Sequence, residues 1–252
     1  MSQPIITPEK WLRVSSLPET KGCSVAVVGF CCFKEMLDKL QAKPLNERTF
    51  SPFSHFNASH QFVGTVIDRK VLALDCLYGG PMSATVIEEL AHYGIKKVIG
   101  YGFAGSLTQN VGIGEIVLAD GAVVSDGTSR EYLSDEKWVY PDPQLADDLR
   151  QCAAKNGIVI RNGKVWTTDA IYREYPQKVK RWRQEGAEIV NMDTSHFYAV
   201  SKVVGIKSVY ACVISDSIEA PEWNDGFDRI QQATNNLQNL ILETLTEILQ
   251  TE

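Results

Sequence analysis

Between Ser24 and Ile214 the chain alternates two kinds of text, and that alternation limits the folds open to it. β-Branched runs bounded by Gly, Asp or Ser recur at Ser24 to Gly29, Gln61 to Ile67, Lys70 to Cys76, Lys96 to Tyr101, Glu115 to Val124 and Lys207 to Ile214. Each predicts a strand. Helical spacing of apolar residues fills Met82 to Tyr93, Pro143 to Lys155, Tyr175 to Gln184, Thr194 to Val204 and Phe227 to Leu249. The last stretch puts Ile230, Ala233, Leu237, Leu240, Ile241, Leu245 and Ile248 on one face, as a helix closing a domain would. Strands interleaved with helices of this length build layers in which helices cover a largely parallel sheet. The expected architecture is an N-terminal extension at 1–23 and one three-layer α/β domain at 24–252, with a twisted, mainly parallel mixed sheet flanked by helices. In such sheets ligands bind beyond the carboxyl ends of the strands, so residues there carry the functional question.

Charge and composition remove several classes of function. Twenty-five Lys and Arg against thirty-one Asp and Glu give a net charge of −6 with no basic stripe, which argues against a nucleic-acid partner. No window approaches eighteen uninterrupted apolar residues, so no membrane span is expected. MSQPIITPEKWLRV lacks the apolar core of a secretory signal, and a cytoplasmic location is expected. Cys23, Cys31, Cys32, Cys76, Cys152 and Cys212 have neither metal nor redox spacing, and the four histidines are scattered. Reduced thiols used as small hydrophobes, and no metal or other cofactor, are therefore expected.

One motif invites a cofactor nonetheless. Gly100-Tyr101-Gly102-Phe103-Ala104-Gly105 spells G-x-G-x-x-G after a β-branched run, and Asp120 follows twenty residues after Gly100. A dinucleotide site requires the third glycine to open a helix whose N-terminus faces the pyrophosphate. Here Asn110, Gly112 and Gly114 punctuate a turn, and strand-like text follows. A helix through them would lose about 1 kcal/mol per glycine against alanine. The motif reads instead as a strand-to-loop glycine cluster, with Asp120 inside the next strand. Such glycines serve tight packing or a ligand that needs bare backbone.

Further segments occur in a fixed order: YGGPMSATVIEEL (Tyr78 to Leu90), GYGFAGSLTQNVGIGEIVLADGAV (Gly100 to Val123), DGTSREYL (Asp126 to Leu133), KVWTTDAIYRE (Lys164 to Glu174) and EIVNMDTSHFYAVSKVVGIKSVYACVISDS (Glu188 to Ser217). Together, over roughly residues 24 to 245, they resemble the nucleoside phosphorylase family of purine nucleoside, uridine and methylthioadenosine phosphorylases and related nucleosidases. The resemblance implies a partly barrel-like mixed sheet and cleavage of the bond between base and ribose. It also implies a small-molecule nucleoside as partner and a homo-oligomer (dimer, trimer or hexamer) with shared active sites. No cofactor is implied, with inorganic phosphate as the optional co-substrate.

The resemblance also assigns residues. Asp216, in Val213-Ile214-Ser215-Asp216-Ser217, stands where the family's aspartate meets the purine N7, and it favours purine over uracil. Arg229 stands thirteen residues on, where hexameric purine enzymes pair that aspartate with an arginine; the alternative is a solvated helix charge. Asn191-Met192-Asp193 replaces the family's Glu-Met-Glu, so Asp193 would receive the ribose hydroxyls and Met192 would pack under the sugar. For Asp193 the alternative is a helix N-cap. Ile171 and Tyr172, with Asn191, would wall the base. Trp166, Phe197 and Tyr198 fit the core equally well.

The phosphate site departs from the family. Gly100 and Phe103 occupy the positions of an arginine and a hydroxyl, and Gly29 is followed by Phe33 where a second arginine is usual. Arg48, in Asn46-Glu47-Arg48, is the one element that matches, in a segment that reaches a neighbouring subunit. A phosphate dianion against Gly100, Gly102 and two phenylalanines would lack most of its compensating charge, at a cost of several kcal/mol. The expectation is purine nucleoside cleavage that leans toward hydrolysis. Phosphorolysis of a purine nucleoside or uridine, and nucleoside binding without turnover, are the alternatives.

Overall fold

The computed structural model describes residues 4–12, 20–31, 34–45, 58–219 and 222–251. In chain order the elements are α1 (Pro8–Leu12), β1 (Val25–Gly29), α2 (Lys34–Lys39), β2 (Lys43–Pro44), β3 (Gln61–Val66), β4 (Arg69–Leu74), α3 (Gly80–His92), β5 (Lys97–Ser106), β6 (Ile116–Val123), α4 (Gly127–Tyr132), β7 (Trp138–Val139), α5 (Pro143–Lys155), β8 (Ile160–Thr167), α6 (Pro176–Gln184), β9 (Ile189–Asn191), α7 (Thr194–Val204), β10 (Lys207–Ser217), β11 (Asn224–Asp225) and α8 (Gln231–Gln250). Among the described residues they form one mixed sheet, in the order β11-β10-β6-β8-β9-β5-β1-β4-β3-β2, with β7 on β6. β10 also pairs with β5, so β10, β6, β8, β9 and β5 close on themselves like a small barrel. The long ladders β1–β5, β5–β10 and β6–β8 are parallel, whereas β5–β9 and β6–β10 are antiparallel.

Burial on both faces explains the continuous apolar text of the central strands. In β10, Val209, Ala211 and Val213 join one core with Leu145 and Leu149 of α5 and Leu237, Leu240 and Ile241 of α8. Tyr210, Cys212 and Ile214 point the other way, into a core with Val86 and Leu90 of α3 and Phe197 and Val200 of α7. This is the three-layer α/β fold expected from the alternation.

Three expectations need correction. GYGFAG lies wholly inside β5, not at a strand-to-loop junction, because β10 runs beside it in a ten-position parallel ladder from Lys97 to Ser106. β8 and β9 were not expected: IRNGKVWT is interrupted by polar residues and glycine, and IVN is only three residues long. α8 starts at Gln231 and not at Phe227, since Gly226 to Arg229 form a turn closed by the Arg229 N–H on the Gly226 carbonyl at 2.9 Å. As read from the sequence, no helix follows Gly105, and Asp120 is in β6.

Candidate active site

β5 and β10 end side by side, with Asp216 opposite Gly105 after a register shift at Ser215. A bulge of this kind re-aims the following side chain. The Ser215 hydroxyl donates to Asp216 Oδ1 at 2.7 Å, and the Trp223 indole N–H donates to Oδ2 at 2.9 Å. A β-carbon at position 105 would stand 3.1 Å from that same Oδ2, so the third glycine of the motif leaves the room this carboxylate occupies. Glu174 is pushed up to about 7 by burial and by the charge of Asp216. Two acids thus feel each other's charge at the strand end, and Glu174 is the one pushed toward neutrality.

The first two glycines accommodate a second acid. Tyr210 pairs with Gly100 across the β5–β10 ladder, and its ring lies 2.8 Å from where a β-carbon at 100 would be. A β-carbon at Gly102 would collide with the Tyr210 hydroxyl. That hydroxyl donates to Asp193 Oδ2 at 3.0 Å. Asp193 is only 6% exposed, and burial pushes its carboxyl up to about 7 against the opposing His196 charge and the Tyr210 hydrogen bond. Asp193 stands at the cap position of α7, yet its side chain caps nothing. Asn191 caps the helix in its place. Its Oδ1 accepts from the N–H groups of Asp193 and Thr194 at 3.2 Å each, and its Nδ2 donates to Thr194 Oγ1 at 2.7 Å. The Asn191 amide is therefore spent on the turn that presents Met192 and Asp193. Met192 accepts at its sulfur from the Tyr78 hydroxyl at 3.4 Å, and Tyr78 is exposed on the rim.

Beneath α7 a buried polar group holds this turn in place. Asp126 caps α4 by accepting from the Ser129 N–H at 2.9 Å, accepts from the Ser195 hydroxyl, and lies 3.5 Å from His196 Nδ1. Burial alone would raise the Asp126 carboxyl, but the His196 contact and the two serines hold it well below the usual carboxylate range.

The region read as the phosphate floor is lined by rings and, among the described residues, holds no cation, its polar groups being the Tyr210 hydroxyl and the Asp193 carboxyl. Phe30, Phe197 and Tyr210 meet edge-on with centroids 5.6 to 6.1 Å apart over Gly100 and Gly102. Phe103 points to the opposite core and packs on Phe227. Gly29 lies at the end of β1, with its carbonyl accepting from the Leu77 N–H at 2.9 Å. Arg48 and Phe33 lie outside the described residues. Among the described residues Arg229 makes no hydrogen bond or ion pair to Asp216 itself, although Asp216 is paired with Asp225 in the β10–β11 ladder. Its guanidinium donates to the Asp225 carbonyl at 2.8 Å, faces Asp228 at 3.4 Å, and lines a separate groove with Glu115, Arg161 and Asn236. Ile171 and Tyr172 are exposed on the short turn that carries Glu174, while Trp166 stacks on Trp182 in a satellite core. Phe197 and Tyr198 are buried core residues.

Sequence reasoning missed Tyr210, Glu174 and Trp223. Tyr210 carried a faint signal, as the one polar-tipped aromatic in an otherwise small and aliphatic strand; the other two depend on loop paths. Among the described residues, His60, Asp75 and Cys76 also bring ligand-type atoms within 4.8 Å of one another, at the C-terminal end of β4.

A chain of this fold has known relatives. The chain is 33% identical over 243 residues, 94% of each protein, to the uncharacterized protein R802 of Acanthamoeba polyphaga mimivirus. It is 27% identical over 173 residues, 68% of this chain and 72% of the relative, to a guanosine phosphorylase of Halorubrum lacusprofundi. The purine nucleoside phosphorylase of Toxoplasma gondii, solved in complex with immucillin-H, superposes with a TM-score of 0.80 over 100% of both chains at 17% identity, which shows a shared fold. The model of the phosphorylase superfamily matches residues 24–247, and the chain belongs to that superfamily.

Proposed function

We propose that this protein cleaves the N-glycosidic bond of a purine or modified purine nucleoside, with water as the favoured acceptor. The observation that carries the reading is Asp216, held at the barrel mouth by Ser215 and Trp223 beside the near-neutral Glu174. In the oxocarbenium-like transition state, negative charge grows on the departing base and positive charge on the sugar. A carboxyl that hydrogen-bonds N7 as that charge develops stabilises the transition state more than the ground state. Asp193 would receive the ribose hydroxyls above Met192, and Ile171 and Tyr172 would cover the base. The guanosine phosphorylase among the relatives supports a purine.

The floor of Phe30, Phe197 and Tyr210 over Gly100 and Gly102, with the Asp193 carboxyl bonded to Tyr210, supports water over phosphate, because a dianion there would be desolvated against rings beside another acid. Phosphate remains the alternative co-substrate, delivered with Arg48. We further propose action without a resident cofactor, in the cytoplasm, as a homo-oligomer with shared sites; the exposed Tyr78, Tyr172 and Trp223 around the site fit a covering subunit. A second reading, nucleoside binding without turnover, is favoured by the depth of Asp193 under Tyr210. The test incubates pure protein with purine and pyrimidine nucleosides, with and without phosphate, and follows base and sugar by chromatography. Free ribose at a phosphate-independent rate is expected. Ribose 1-phosphate would establish phosphorolysis, and saturable binding without products would establish the binding protein.

A further inference from the structure

We propose that His60, Asp75 and Cys76 form a binding site for a divalent cation of the zinc class. The site is built by the β3–β4 hairpin. Gln61 pairs with Leu74 in the antiparallel ladder, and the Asp75 N–H donates to the His60 carbonyl at 3.0 Å, which extends the pairing by one step. His60 and Asp75 are thereby cross-strand neighbours, close enough for their side chains to share a ligand. In a regular strand Cys76 would point to the other face from Asp75. It does not, because Cys76 adopts φ +57°, a left-handed conformation that an L-residue with a β-carbon resists. The turn brings Cys76 Sγ to 3.7 Å from Asp75 Oδ2, and all three ligand atoms fall within 4.8 Å of one another.

The spacing suits a small tetrahedral ion. With metal–ligand bonds of about 2.0–2.3 Å, ligands on zinc stand roughly 3.3–3.8 Å apart. The Cys76–Asp75 pair is already at that separation, and the two separations to His60 are no more than 4.8 Å. Asp75 is 3% exposed, so its carboxylate is held in place by the surrounding strand ends. A thiolate, an imidazole and a carboxylate together select a borderline-soft ion over magnesium or calcium, which prefer oxygen alone. Three protein ligands leave a fourth position for water or a ligand oxygen.

Cation binding is measured without turnover, so this inference and the nucleoside reading succeed or fail separately. Full-length protein is stripped with a chelator and titrated with zinc chloride by calorimetry, and in parallel with cobalt chloride by absorption spectroscopy. The expected result is one zinc per chain, together with a thiolate-to-cobalt charge-transfer band. That band should vanish in Cys76→Ser and persist in Cys31→Ser, and zinc affinity should fall tenfold or more in His60→Gln and in Asp75→Asn. Circular dichroism identifies any variant that fails to fold. The wild-type spectrum decides independently of the variants: no saturable binding at one ion per chain, or a cobalt spectrum without a thiolate band, would overturn the proposal.

Discussion

The Tyr210 hydroxyl donates to Asp193 Oδ2 across 3.0 Å, from a ring that fits only because positions 100 and 102 have no β-carbon. The G-x-G-x-x-G of β5 thus serves two acids, Asp193 through Tyr210 and Asp216 through Gly105. Removing the phenol oxygen in Tyr210→Phe keeps the ring and deletes the hydrogen bond. Above about pH 7, where Asp193 is ionised, a hydrogen bond to it contributes about 1.5–3 kcal/mol. Calorimetric scans at about pH 8 should show Tm lower by about 3–12 °C for a chain of this size. An unchanged Tm would mean that the bond stabilises nothing.

Adding the missing β-carbon should be worse than removing the hydroxyl. Gly102→Ala drives a methyl into the Tyr210 hydroxyl, and Gly100→Ala meets both Tyr210 and Phe197 within 3.0 Å. Overpacking of this kind costs about 1–3 kcal/mol. Gly127→Ala is the control, since its β-carbon would meet only Asp169 Oδ2 at 3.6 Å. Urea unfolding should rank both β5 variants well below wild type and leave Gly127→Ala within about 0.5 kcal/mol of it. Equal midpoints for all three would contradict the packing described.

The raised carboxyls predict a direction for stability against pH. Asp193 and Glu174 both sit near about 7 when folded, above their ordinary values of 3.8 and 4.5. Between those values the folded state holds protons that the unfolded chain has released, so rising pH through this window weakens folding. Below the ordinary values, and again above about 7, these two groups add no further slope. The double variant Asp193→Asn/Glu174→Gln lacks both titrations. Its stability relative to wild type should therefore improve as pH climbs from about 4 to about 7 and then level off. Urea midpoints at several pH values check this, and a difference that stays flat would remove burial as the cause.

Much of the architecture was legible from periodicity and caps. α5 and α7 start and stop where the sequence predicts, Asp142 capping the first through the Leu145 N–H at 3.0 Å and Gly205 ending the second at φ +77°. That Asp216 ends a buried strand could also be read from VISDS. What the sequence hid depends on register and on loops. Only the β5–β10 ladder shows that Tyr210 lies over Gly100, and only folding of the loops brings Glu174 and Trp223 to Asp216. Arg229 illustrates the same limit: spacing suggested a direct pair with Asp216, but the turn at Gly226 carries its guanidinium to the carbonyl of Asp225, the ladder partner of Asp216, and to Asp228.

The most direct test of the proposed chemistry compares hypoxanthine release from inosine by wild type and by Asp216→Asn, at matched protein concentration and with folding verified by circular dichroism. A positioned acid contributes about 10²–10⁴-fold to such a step, and its amide retains part of the hydrogen bonding, so a loss of about tenfold or more is predicted. Release at the wild-type rate from Asp216→Asn would contradict the assignment of the acid, and with it the proposed role of the strand end that Gly105 opens.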